Sequence, residues 1–169
     1  YTDSEYFIPY KFALHMFETD QKKEVKVQFD HTDKKAHFWT KRISQKWGDE
    51  VINRPDELTP LSRDMFSGIY YSRILDYRLN QKQSFSIQEN GKNWEVELLP
   101  VAKEIVKVPA GVFQCYKILG TVKLDNYLSP TGDMYMWLST DDKKFLVKFD
   151  AKVKIGSIYG NLVKVRERL

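Results

Sequence analysis

The sequence is poor in the features that announce chemistry or membrane insertion. Its single cysteine, Cys115, excludes an internal disulfide, and its three histidines, His15, His31 and His37, follow no spacing that joins them as metal ligands. No stretch approaches the ~18 consecutive apolar residues of a membrane-spanning helix. Only 8 glycines and 6 prolines punctuate the chain, too few for a low-complexity linker. Charge of one sign never gathers in a block: 27 Lys and Arg interleave with 23 Asp and Glu, net +4, so anionic partners are permitted but none is selected. The sequence opens at Tyr1 without Met, a signal peptide or a lipidation motif, which leads us to expect a processed product or a fragment.

What is present is a core and a soluble surface. Aromatics make up 14% and charged residues 30% of 169 residues, one domain's worth of chain, and such a domain buries roughly two thirds of its unfolded surface without disulfide or metal. The organising stretch is 144–155, KFLVKFDAKVKI. Phe145, Val147, Phe149, Ala151, Val153 and Ile155 occupy the odd positions, while Lys144, Lys148, Lys152 and Lys154 sit among the even ones and only Leu146 intrudes. This period of two predicts a long strand with one face in the core and a lysine row in water.

Alternation recurs along the chain. Residues 6–18 place Tyr10, Phe12, Leu14 and Met16 on one side; 24–30 and 36–42 read as a hairpin around HTDKK; and 84–88 with 93–99 form another around Asn90-Gly91, with Trp94, Val96 and Leu98 inward. Residues 101–108 and 112–124 make a third around Pro109-Ala110-Gly111, and 133–139, 144–155 and 158–166 complete the order. Residues 59–75 break the pattern. Leu61, Met65 and Ile69 recur at four-residue spacing behind Thr59-Pro60, an N-cap followed by a first-turn proline, predicting one short helix with Gly68 inside it. The fold expected is all-β: an antiparallel meander of about nine or ten strands forming a curved sandwich or open barrel, a single β domain over 1–169 with one helix near 59–75.

VPAGVFQCYKI at 108–118, MFSGIYYSR at 65–73 and MWLSTDDKKFLVKFDAKVKIGSI at 136–158 together resemble an exported bacterial family, domain of unknown function 3108, over roughly residues 60–160. The chain departs from that family at Leu146, where proline is usual, and at Leu79-Asn80-Gln81, where a glycine is usual. The resemblance implies a β-protein of the cell envelope, in the periplasm or associated with the outer membrane, with no transmembrane segment, and implies no activity. Aligned on it, the chain is expected to begin inside its domain, lacking N-terminal strands, so that the strand at 6–18 has one bare edge for missing residues or a partner strand to cover.

No catalytic constellation stands out. Cys115 lies mid-strand without a cysteine-enzyme signature and reads as an inert core thiol. Asp30-His31-x-Asp33 offers ligand-type side chains, but a polar hairpin tip produces the same letters, so no metal is expected. Glu95 and Glu97 share an outward strand face and are not an acid/base pair. The lysine row lacks the interleaved aromatics of a sheet that binds nucleic acid, and no nucleic-acid partner is expected. Tyr70, Tyr71 and Arg73 form the candidate binding group: aromatic rings and a guanidinium suit a sugar, a lipid head group or a partner peptide, although aromatic residues at helical spacing are usually core, with Tyr70 under the helix and Arg73 bridging to a carboxylate or a strand carbonyl. The expected function is non-enzymatic and without cofactor: an envelope protein binding or assembling surface glycan or lipid, or an envelope protein partner, with peripheral membrane association open to it. A lipid or hydrophobic-ligand carrier, needing an apolar cavity of ~300 Å³ or more, is one alternative, and a hydrolase acting on cell-wall or polysaccharide substrates is another.

Overall fold

The computed structural model describes residues 2, 3, 5–124, 127–128, 134–153 and 156–166. Its elements are β1 Lys11–Glu18, β2 Gln21–Asp30, β3 Lys35–Ser44, β4 Glu50–Glu57, α1 Met65–Ser72, β5 Gln83–Glu89, β6 Lys92–Val108, β7 Gly111–Leu124, β8 Tyr127–Leu128, β9 Met134–Ser139, β10 Leu146–Val153 and β11 Gly156–Asn161. Ten of these strands have six or more residues, and β8 has two. They form two antiparallel sheets, β1-β2-β3-β4 and β11-β10-β9-β7-β6-β5, with β8 beside β7. Among the described residues each sheet is open, with two edges, and one short helix accompanies them, as the alternation and the one helical stretch predict. The chain divides into two compact units, Tyr1–Tyr70 with Ser86–Trp94, and Tyr71–Phe85 with Glu95–Leu169.

In the first unit the alternation sorts side chains cleanly. Val25, Val27, Phe29, Ala36 and Phe38 are buried with Leu58, and Phe12, Leu14 and Ile52 pack against them. Strand partners confirm a shared face, with Phe12 opposite Val27, Leu14 opposite Val25 and Val27 opposite Phe38. β4 is a strand that periodicity did not reveal: EVINRPDE is polar and carries Pro55, which has no N–H to donate and is tolerated on an edge strand, where outward-facing positions need no ladder donor.

The helix begins later than Thr59-Pro60 suggests. Leu61 adopts φ 58°, which breaks the chain out of helix, and Asp64 supplies the cap instead. Its Oδ1 accepts the N–H of Phe66 and of Ser67, each at 2.9 Å. In the hairpin of β5 and β6, Asn90 and Gly91 both take positive φ, 52° and 78°, the geometry an Asn-Gly turn provides.

In the second unit the two stretches read as separate strands on either side of Pro100 are one 17-residue strand, β6. A register shift between Pro100 and Ala102 absorbs the proline, since a bulged position needs no ladder N–H. The organising stretch is also corrected. β10 starts at Leu146, and a bulge between Leu146 and Lys148 changes which side chains share a face. Val147, fully buried, clusters with Trp137, Cys115, Val106 and Val108, and Phe145 packs on that cluster. Lys148 stands opposite Trp137, its Nζ 4.5 Å from the ring, whereas Phe149 stands opposite Met136. Phe145 and Val147 therefore share a core that Phe149 does not join, and the lysines do not form one wet row. Lys144 donates to the carbonyl of Leu75 at 2.6 Å, and of Lys144, Lys148 and Lys152 only Lys152 is exposed. Lys154, Ile155 and the side chain of Val153 lie outside the described residues. The last strand ends at Asn161, short of 166.

Candidate binding surface

Tyr70, in the first unit, stacks on Phe7 with centroids 6.0 Å apart and remains 53% exposed. Tyr71, in the second, meets Phe85 edge-on at 5.3 Å. The guanidinium of Arg73 spans two strand-end carbonyls: Nε donates to Lys144 O at 2.9 Å and Nη2 to Lys143 O at 2.8 Å. Those bonds give Arg73 a local structural task, holding the segment after α1 to the turn before β10. Tyr77 braces the same segment locally, its hydroxyl donating to Ser72 O at the end of α1 at 2.6 Å, and burial raises its pKa.

The remaining sequence candidates occupy structural roles. Asp30 Oδ1 accepts the N–H groups of Thr32 and Asp33, closing the β2–β3 turn, and His31 Nε2 lies 2.9 Å from Pro9 O while its ring stacks on Phe29. His37 is an exposed residue of β3. Cys115 is fully buried, and its thiol is pushed up to about 11, chiefly by burial and then by Asp141 and Glu104. Glu97 is salt-bridged by Lys123 at 2.8 Å and Lys82 at 3.1 Å, and the Lys123 hydrogen bond holds its carboxyl below the usual range. Trp137 donates its indole N–H to Glu104 and has Lys148 and Lys117 over its ring, an aromatic–cation stack built into the sheet. Among the described residues, no three His, Cys, Asp or Glu side chains come together as a metal site.

Two surfaces of the first unit extend beyond the sequence candidates, the first of them around Tyr70. The helical segment MFSGIYYS contains no charged residue, and Leu61, Met65, Phe66, Ile69 and Tyr70 are each 41–61% exposed. Soluble surfaces rarely gather that much contiguous apolar area without an interaction to serve. The outward face of the four-stranded sheet carries an open groove of about 220 Å³ lined by His15, Phe17, Lys22, Glu24, Lys41 and Ile43, among others. Glu24 is paired with Lys26 at 2.7 Å, which holds its carboxyl low. The sequence signal for the first surface is the absence of charge over 65–72; apolar helical spacing by itself also suits a core-facing helix.

A profile of the family described as "Protein of unknown function (DUF3108)" matches residues 1–163. No curated protein matches the chain. A crystal structure of a candidate lipoprotein from Parabacteroides distasonis aligns over 98% of this chain and 100% of its own, at 13% identity and a TM-score of 0.36. No helix among the described residues is long and apolar enough to cross a membrane.

Proposed function

The chain belongs to the DUF3108 family of proteins of unknown function, and from that premise we propose that it is a non-enzymatic protein of the bacterial cell envelope that binds surface material or a partner complex. The observation that carries the reading is the uncharged, exposed face of α1 and the turn before it, with Leu61, Met65, Phe66, Ile69 and Tyr70. Apolar anchors rimmed by polar sheet are how binding surfaces concentrate affinity. Met65 and Phe66 are the natural anchors, and Tyr70 adds a hydroxyl at the edge.

Native mass spectrometry of the protein purified from its own envelope tests this. We expect a retained lipid, glycan or subunit on the wild type that Met65→Lys releases while thermal stability is kept. A bare chain in both preparations refutes the proposal, and turnover of a cell-wall polysaccharide by the purified protein would replace it with the hydrolase reading.

A further inference from the structure

We propose that β1 pairs with β1 of a second copy of this chain, antiparallel about Leu14, to join two four-stranded sheets into one. The inference goes beyond the function proposed above; the two share Phe66 but rest on different elements, the edge of β1 here and the exposed face of α1 there. Three observations carry it.

The first is backbone polarity. Phe29 N–H donates to Tyr10 O at 2.9 Å, so Tyr10–Phe29 is a hydrogen-bonded pair one step before the ladder that runs from Lys11–Gln28 to Glu18–Gln21. Hydrogen-bonded and non-bonded pairs alternate in an antiparallel ladder, so Phe12, Leu14 and Met16 bond to β2, while the N–H and C=O groups of Ala13, His15 and Phe17 point to the opposite edge. β1 ends its sheet, and among the described residues no strand pairs along that edge.

The second is the contrast with the other edge. β4 carries Pro55 with Glu50, Arg54, Asp56 and Glu57, the devices by which sheets refuse a further strand. β1, KFALHMFE, has charge only at its two ends and no proline. From Phe12 to Phe17 the described edge carries none of those devices.

The third is self-complementarity. With Leu14 opposite Leu14 of the second copy, Phe12 meets Met16 on the core face and Ala13 meets His15 on the outer face. Both members of the Ala13–His15 pair present edge-directed N–H and C=O groups, so the ladder closes in register. Centring the pair on His15 would set two imidazoles against each other. Phe17 within the strand, and Tyr10 and Phe66 outside it, are 75%, 58% and 47% exposed, and Phe66 already stacks on Phe12 at 6.0 Å, so apolar area is buried beyond the backbone ladder itself. The arrangement is a two-fold interface using one patch twice, the commonest symmetry of homo-oligomers.

The test is the mass in solution, by sedimentation velocity at about 5–100 μM, together with a cross-link. A species of twice 20.0 kDa is expected. His15→Pro removes an edge-directed N–H and no β1–β2 bond, and should return the monomer with its circular dichroism unchanged. Should that variant fold poorly, Leu14→Cys decides: the non-bonded pair brings the two Cα atoms to about 4.5 Å, within disulfide reach, so mild oxidation should give a covalent dimer that Ala13→Cys does not. Buried Cys115 supplies no competing cross-link. A wild-type monomer throughout that range, or a dimer indifferent to His15→Pro and uncrosslinked by Leu14→Cys, overturns the proposal.

Discussion

At the scale of single residues, burial decides which side chains can react and which can be lost. Cys115 is enclosed by Val106, Val108, Trp137 and Val147, and its thiol rises from an ordinary 9.0 to about 11 because the enclosure disfavours the thiolate. The folded chain thus releases this proton at higher pH than the unfolded one. The stabilisation is fully present below pH 9 and is lost as pH rises toward 11, since the unfolded thiol ionises first. Chemical denaturation from pH 8 to 11 should show this decline flattened in Cys115→Val, and alkylation at pH 7 should be slow until denaturant is added. Leu98 is wholly buried, so Leu98→Ala should cost about 2–5 kcal/mol in urea unfolding. Phe149 is half-buried, and Phe149→Ala should fall below the ~3–5 kcal/mol of a fully buried phenylalanine.

At the scale of elements, turns and caps are where local chemistry and tertiary contact meet. A Cβ on Gly91 would lie 2.5 Å from Arg54 Nη2 and 2.9 Å from Asp56 Oδ2. Those two side chains are themselves ion-paired at 2.7 Å. Gly91→Ala therefore adds a clash to the ~1 kcal/mol of a positive φ, and its unfolding midpoint should drop more than that of Gly48→Ala, where nothing lies within 4 Å. Asp64→Ala removes the acceptor of two helix N–H groups and of the Ser67 hydroxyl, for a loss of about 1–2 kcal/mol that Asp64→Asn should partly restore. These elements also show what the sequence disclosed. Asn90-Gly91 and the alternating 24–30 and 36–42 were legible because their constraints are local. β4 was not, because its place is set by pairing with β3, and Thr59-Pro60 misled because capping chemistry was satisfied five residues later by Asp64. The bulge at Leu146–Lys148 follows from register against β9, so no periodicity in 144–155 could announce it. The candidate group fared likewise: Tyr70, Tyr71 and Arg73 were legible as side chains with binding chemistry, but the carbonyls that occupy Arg73 come from residues seventy positions away.

At the scale of the whole molecule, neither compact unit is a continuous piece of chain. The first unit takes Ser86–Trp94 from beyond its own main segment, and the chain crosses between units within α1, within β5 and within β6. What the returning segment supplies is specific. Arg63 bridges Ile87, with its N–H donating to Ser86 O at 3.0 Å and its carbonyl accepting from Gln88 N–H at 2.7 Å. Asn93 closes the end of β4 from both sides, donating to Glu57 O at 2.8 Å and accepting the Thr59 N–H at 3.1 Å. Arg63 is 4% exposed, and its guanidinium donates twice to Tyr6 O, so the segment that fixes its backbone also fixes the start of the chain. A fragment of residues 1–70 keeps every strand of the four-stranded sheet but loses these partners, leaving buried donors and acceptors without their bonds at a cost of about 1–3 kcal/mol each. Against the 5–15 kcal/mol that a domain typically has in total, several such losses are enough to abolish cooperative folding. We therefore expect the 1–70 fragment to give a broad urea transition with early fluorescence change at Trp39 and Trp47, and the full chain a sharp one. Adding a peptide of residues 83–97 should sharpen the fragment's transition; a fragment that unfolds as steeply as the intact protein without the peptide would show that the returning hairpin is dispensable to the first unit.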